Sequence, residues 1–411
     1  MHLRCLALLL SCILLPLRGE DTQPGSEALA GALRTSGLPA GAESVTVPLE
    51  STFLGFIVEA QINGKPVRLA LDTGAAITTL SSEVARNLGL QANGGSKTLM
   101  SVTGEKVDCR SALTQRISLG GAWTKNEPVL VSEKVPIVNG VLGMATLADW
   151  DVRIDPTARK LTLFPAGKAP PLEGETVLPL TRKLFNADVG PTNPQAFHPM
   201  NLRVPVRIGS HELPANPDTG NGGTFQLSSV VMKKIAPDAL ESARPALVTG
   251  LSLSGNVVSR EASLPEVTFG PDTLRGLPTD IIDATPGSIA EREANIGLNL
   301  LRHYVMTFRF KAGELRLKPL GTVQDLTRTS TAGLQFDFDY KISHLDPGGP
   351  ADKAGLRAGD EMLEIEGHPL RTMTPEDFAA IKRLPPGTAV KVRYRRGDLS
   401  PVETHIVVVK K

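Results

Sequence analysis

Two short acidic loops carry the chemistry this chain could perform. Asp72-Thr73-Gly74 and Asp218-Thr219-Gly220 repeat one tripeptide. A single copy suits an ordinary turn, in which the Asp side chain bonds local backbone N–H groups and the Gly supplies a positive φ. Two copies at equivalent points of a repeat mean more, because two carboxyl groups brought close together cannot both ionise cheaply. They share a proton, so that one remains a base while the other remains an acid. Such a pair can draw a proton from water with one carboxyl and donate a proton with the other.

Other reaction classes lack their residues. The sequence has no His-Glu-x-x-His, Cys-x-x-Cys, Gly-x-Ser-x-Gly or phosphate-loop pattern. His198, His211 and His303 are scattered, so neither a metal nor an organic cofactor is expected. Of the three cysteines, Cys5 and Cys12 lie in the first residues, which leaves Cys109 alone in the body and reads as a buried apolar residue. The 44 basic and 43 acidic residues are interspersed and sum to +1, so no basic face points to a nucleic-acid partner.

The elements that must position the two loops read as β-structure. Aromatic residues are only 4%, while Gly (39) and Pro (32) are plentiful, which suits short strands joined by turns. Strands are expected at 45–49, 53–62 and 67–71, with a turn at Asn63-Gly64 leading into Asp72. A helix should start at Ser81 or Ser82, and Gly89 should end it. The same order then returns. Ile62 and Ile208 precede their Asp residues by equal distances, Leu80-Ser81-Ser82 finds its counterpart in Leu227-Ser228-Ser229, and Val141-Leu142-Gly143 corresponds to Asn295-Ile296-Gly297. The second copy departs from the first in two ways: Asn216-Pro217 precedes its Asp, and Asn221-Gly222-Gly223 follows, which predicts a more flexible second loop.

On Asp72-Thr73-Gly74-Ala75 followed by Val141-Leu142-Gly143, the chain resembles the pepsin and retropepsin superfamily, and over 45–319 it is similar to two retropepsin-type lobes fused in tandem. The resemblance implies a mainly β, bilobal aspartic endopeptidase with Asp72 and Asp218 catalytic. It implies that Thr73 and Thr219 brace the opposite loop, that Gly74 and Gly220 let the backbones approach, and that the substrate is a polypeptide. Candidate substrate-covering hairpins lie at Val102-Thr103-Gly104-Glu105 and Leu253-Ser254-Gly255-Asn256, neither with a Tyr at its tip. Two alternatives stay open: a noncatalytic binding protein with a decayed second loop, and a homodimer using Asp72 from two chains.

Arg4, then an apolar run from Cys5 to Leu17, reads as a secretory signal over 1–19, too short for the roughly 20 residues of a membrane span. Periplasmic or extracellular export is therefore expected. Leu9-Leu10-Ser11-Cys12 also resembles a bacterial lipobox, which would make Cys12 a lipid anchor. A flexible linker at 20–44, lobes at 45–165 and 200–320, and a connection at 166–199 complete the body. In the last segment, 331–411, PADKAGLRAG at 350–359 and DEMLEIEGHP at 360–369 closely resemble a bacterial PDZ domain. That resemblance implies a peptide ligand on the loop and strand Gly333-Leu334-Gln335-Phe336, beside a helix at 376–384, with Leu334 and Phe336 as pocket candidates.

Overall fold

The computed structural model describes residues 3–5, 7–9, 12–14, 33–51, 55–92, 96–101, 106–133, 139–184, 200–252, 255–284, 288–323, 326, 330–336, 340–373 and 375–410. The chain is mainly β, as its composition predicts. Alternation decides which face each strand buries. In Phe56–Ile62, Val58, Ala60 and Ile62 point into the core while Glu59 and Gln61 face solvent. The hairpin to Lys65–Leu71 turns through Asn63 and Gly64, both at positive φ (52° and 80°), the pair of conformations that a two-residue hairpin requires.

Two large sheets, of ten and nine strands, repeat one strand order. In the first, Ser96–Ser101, Lys106–Leu119, Ala122–Ser132, Thr79–Ser81, Gly140–Leu142, Lys65–Leu71, Phe56–Ile62 and Glu50–Ser51 lie side by side. In the second, Arg244–Ser252, Gly255–Phe269, Asp272–Ile282, Phe225–Ser228, Ala294–Gly297, His211–Asp218, Met200–Ile208 and Thr181–Leu184 take the same places. Both expected helix caps form. Ser81 accepts from the Val84 N–H at the head of Ser82–Asn87, and Ser228 accepts from the Val231 N–H at the head of Ser229–Ile235.

A six-stranded sheet joins the halves, with Trp150–Asp155 antiparallel to Tyr304–Arg309 at its centre. Its two edges are Val45–Pro48 and Thr176–Pro179. The second half therefore begins inside the stretch read as a connection, 166–199, because Thr176–Pro179 and Thr181–Leu184 are strands equivalent to Val45–Pro48 and Glu50–Ser51. Their Pro and polar residues concealed them, since an edge strand needs few apolar side chains.

The expected linker also changes. Thr35–Gly37 pairs with Ala122–Ser132, and Arg34 is buried in ion pairs with Glu127 and Asp149, also donating to the Ala145 carbonyl at 3.1 Å. These partners lie far along the chain, so a local reading of 20–44 could not see them. Backbone of Leu3–Cys5, Ala7–Leu9 and Cys12–Leu14 adds to the edges of Leu334–Phe336, Arg244–Ser252 and Ser96–Ser101 respectively. Among the described residues no helix is long and apolar enough to cross a membrane.

In the C-terminal part, Glu361–Ile365, Ala389–Arg395 and Val402–Val407 form a sheet, and Leu334–Phe336 pairs with Ile342–Leu345. The short helix Pro350–Lys353 and the longer helix Pro375–Lys382 appear in the expected order.

Glu127 is fully buried and Arg34 is nearly so, so removing one partner strands a charge. Arg34→Ala should lower stability to urea by about 3–5 kcal/mol. Adding Glu127→Leu to it should recover much of that loss.

Candidate functional site

Each acidic loop is delivered by the inner strand of a hairpin and held from behind by a turn from the far end of its own half. Leu71 and Leu142 lie side by side on parallel strands, and the Asp72 N–H donates to the Leu142 carbonyl at 3.1 Å. In the second half Asp218 pairs with Gly297, and the Leu298 N–H donates to the Asn221 carbonyl at 2.6 Å. Glycine is required in both turns. A Cβ on Gly143 would sit 2.4 Å from the Ile77 carbonyl carbon, and one on Gly297 would sit 2.2 Å from the Gly223 oxygen.

The two loops then lock to one another. The Thr73 N–H donates to Thr219 Oγ1 at 3.0 Å, and the Thr219 N–H donates to Thr73 Oγ1 at 3.0 Å. The hydroxyls pass the contact on: Thr73 Oγ1 donates to the Pro217 carbonyl (2.6 Å) and Thr219 Oγ1 to the Leu71 carbonyl (2.7 Å). All six of Asp72, Thr73, Gly74, Asp218, Thr219 and Gly220 meet here. Gly74 and Gly220 face the opposite carboxyl so closely that a Cβ on either would lie 2.4 Å from Asp218 Cγ or Asp72 Cγ.

Within this frame the carboxyls of Asp72 and Asp218, both fully buried, come into contact. One oxygen of each is held alike: Asp72 Oδ1 accepts from the N–H groups of Gly74 (2.8 Å) and Ala75 (3.0 Å), and Asp218 Oδ1 from those of Gly220 (2.9 Å) and Asn221 (3.0 Å). The other oxygens differ. Asp218 Oδ2 accepts from Asn295 Nδ2 at 2.7 Å, whereas no donor is directed at buried Asp72 Oδ2. Two ionised carboxylates in contact would have nothing to bond with, while one proton between them makes the contact a hydrogen bond.

The second loop is not looser than the first. Asn221 is buried, its Oδ1 accepts from the Gly223 N–H at 2.8 Å, and its Nδ2 donates to Asn295 Oδ1 at 2.9 Å. Pro217 contributes the carbonyl that Thr73 uses. Sequence comparison of the halves aligned Asn295 with Val141 but gave it no role, and the signal was available: a polar residue in a turn whose counterpart is apolar. Buried Arg203, also missed, pairs with Glu293 and lies near enough to Asp218 for their charges to attract.

A polar chain also runs from the N-terminal strap, 34–37, through Glu127 to the turn behind the first loop. Glu127 Oε1 accepts from Thr146 Oγ1 (2.8 Å), Thr146 meets Thr78 (2.6 Å), and Thr78 Oγ1 accepts from the Gly143 N–H (3.1 Å).

Both expected covering hairpins have described arms, Ser96–Ser101 with Lys106–Leu119 and Arg244–Ser252 with Gly255–Phe269. Residues 102–105 and 253–254 at their tips lie outside the described residues. Around the C-terminal loop, Gly333 adopts φ 65°, and its N–H donates to Thr331 Oγ1 at 3.0 Å. Leu334, read as a pocket candidate, is core with Phe378 and Ile381, all nearly inaccessible. Gln335 is buried beside it, and the Phe336 side chain lies outside the described residues. Among the described residues no group of three His, Cys, Asp or Glu side chains could hold a metal ion.

Comparison with known proteins agrees with these two regions. Residues 58–146 match the aspartyl protease family and residues 341–396 match the PDZ domain family. The chain is also similar to the Tax1-binding protein 3 homolog of Caenorhabditis elegans, 33% identical over 69 residues, a match covering 17% of this chain and 54% of that protein. An aspartyl protease domain and a PDZ domain thus share one chain.

Burial, and then the neighbouring Asp218 charge, hold the Asp72 carboxyl well above the usual carboxylate range, against the opposing N–H groups of Gly74 and Ala75. A carboxyl raised on folding favours the folded state below its unfolded value, and that contribution disappears as pH rises through the folded value. Asp72→Asn should therefore resist urea better than wild type at neutral pH. The difference should close as pH falls below the ordinary Asp range.

Proposed function

We propose that this protein is an exported aspartic endopeptidase whose Asp72 and Asp218 activate one water between them, with the PDZ domain holding an extended segment of polypeptide. The observation that carries the reading is the buried contact of two carboxyls across a reciprocal lock built from both halves of one chain. One carboxylate takes a proton from water as the water oxygen bonds to the peptide carbonyl carbon. The other carboxyl gives its proton to the carbonyl oxygen, and a neutral tetrahedral diol results. As the diol collapses, the C–N bond breaks, the carboxyl that took the water proton passes it to the departing amine, and the ionised carboxyl takes a hydroxyl proton from the diol, which restores the dyad.

Strand addition supports a polypeptide substrate. The outer edges of both hairpins and of Leu334–Phe336 each accept backbone of another segment in extended form. At the PDZ loop the Gly333 N–H is already used by Thr331, which favours an internal extended stretch over a free C-terminus. Export is supported by the apolar run Cys5 to Leu17. Pro217 and Asn221, which motivated a noncatalytic reading, both take part in the lock or its bracing, and one chain supplies both carboxyls without a partner.

Purified protein should cleave an unfolded polypeptide in the presence of chelators. Asp72→Asn and Asp218→Asn should each lower that rate by at least about a hundredfold while the fold, followed by circular dichroism, is retained. Full activity in Asp218→Asn would overturn the reading in favour of a dimeric site.

A further inference from the structure

The two carboxyls sit in a nearly two-fold symmetric frame that is broken at one place. Oδ1 of each accepts the same pair of backbone N–H groups, and the two threonines exchange matching bonds. Around Oδ2 the symmetry ends. Where the first half has Ala75 and Val141, both apolar and buried, the second has Asn221 and Asn295.

The direction of this amide pair follows from its far end. The Gly223 N–H can only donate, so the Asn221 atom that it meets must be Oδ1. The Asn221 amide nitrogen then faces Asn295, whose Oδ1 accepts it, and the Asn295 nitrogen is left to face Asp218 Oδ2. Each amide is oriented by the one behind it, and a backbone N–H orients the first. What arrives at Asp218 is a donor, which bonds an ionised carboxylate more strongly than a neutral carboxyl.

Given the proposed dyad, we infer that Asn221 and Asn295 are positioning residues that keep the negative charge of the singly protonated pair on Asp218, making Asp218 the resting base and Asp72 the resting acid. The charged groups around the pair agree. Asp218 faces Asp72 and lies within the field of buried Arg203, which is itself paired with Glu293, while Asp280 approaches Gly223 at the far end of the relay. Asp72 meets, besides Asp218, the backbone N–H groups of Gly74 and Ala75. In the reaction, Asp218 receives the water proton and Asp72 delivers its own to the carbonyl oxygen. The dyad is left with its proton transferred from one side to the other until the amine departs.

The test gives the second half the residues of the first. In Asn295→Val the monoanion and the dianion lose the same donor, so only the first ionisation should move. The acidic limb of the kcat/KM profile should rise by about one pH unit while the alkaline limb stays in place. Asn221→Ala should shift the same limb by less, since Asn295 keeps its place but loses its orientation. A uniform fall in rate with neither limb moved would reduce the asparagines to structural parts, and movement of the alkaline limb alone would place the charge on Asp72. Should Asn295→Val fail to fold, 13C-carboxyl NMR of Asp-labelled wild type decides, with the two signals assigned through Asp72→Asn and Asp218→Asn. Asp218 ionising first supports the inference, and Asp72 ionising first overturns it with the dyad intact. Two independent titrations, without coupling, would sink the underlying dyad.

Discussion

The reciprocal lock between Thr73 and Thr219 is the constraint on which the remaining structure depends. Four hydrogen bonds cross between loops 146 residues apart, each hydroxyl accepting one N–H and donating to one carbonyl of the opposite strand. With the N–H and hydroxyl of both threonines engaged, the loops can approach until only a residue without a Cβ fits against the facing carboxyl. The six-stranded sheet maintains that approach from below. At its centre the Arg309 Nε donates to Asp151 Oδ2 (3.1 Å) and the Arg153 Nε to Thr307 Oγ1 (3.0 Å), pinning one half to the other. A buried, hydrogen-bonded joint of this kind resists relative motion that a wet interface would permit.

Bringing two carboxyls together out of water opposes folding, and the chain limits that cost through hydrogen bonds rather than charge pairing. Two backbone N–H groups reach one oxygen of each Asp, and an oriented amide reaches the second oxygen of only one. A fully symmetric pair would leave the shared proton without preference. A fixed dipole on one side makes the two carboxyls unlike without introducing another charge.

The N-terminal strap and the PDZ domain attach to this body by different physics. Arg34 anchors the strap through a buried ion pair whose carboxylate also collects the Thr146 hydroxyl, extending a polar chain to the turn behind Asp72. Leu334, Ile342, Ile365, Phe378 and Val392 of the PDZ domain are all buried, in an apolar cluster that also holds Ile57, Ala75 and Val141 of the first half. Backbone of Leu3–Cys5 lies along the edge of the domain's strand Leu334–Phe336.

Much of this was legible in the sequence because the relevant forces are local. Period-two alternation, the Asn63-Gly64 turn, the Ser81 and Ser228 caps and the repeated Asp-Thr-Gly each depend on residues within a few positions of one another. What depended on distant partners could not be read that way. Thr176–Pro179 became strand because the Glu314–Pro319 edge was available, and Arg34 became core because Glu127 and Asp149 waited for its charge. Asn221 looked like a flexible substitution until Asn295 and the Gly223 N–H fixed its amide. Sequence by itself determined the duplicated β body, the two acidic loops and the appended domain. Only tertiary structure decided that the loops meet and that they meet unequally, because hydrogen-bond direction and desolvation belong to groups that distance along the chain keeps apart until it folds.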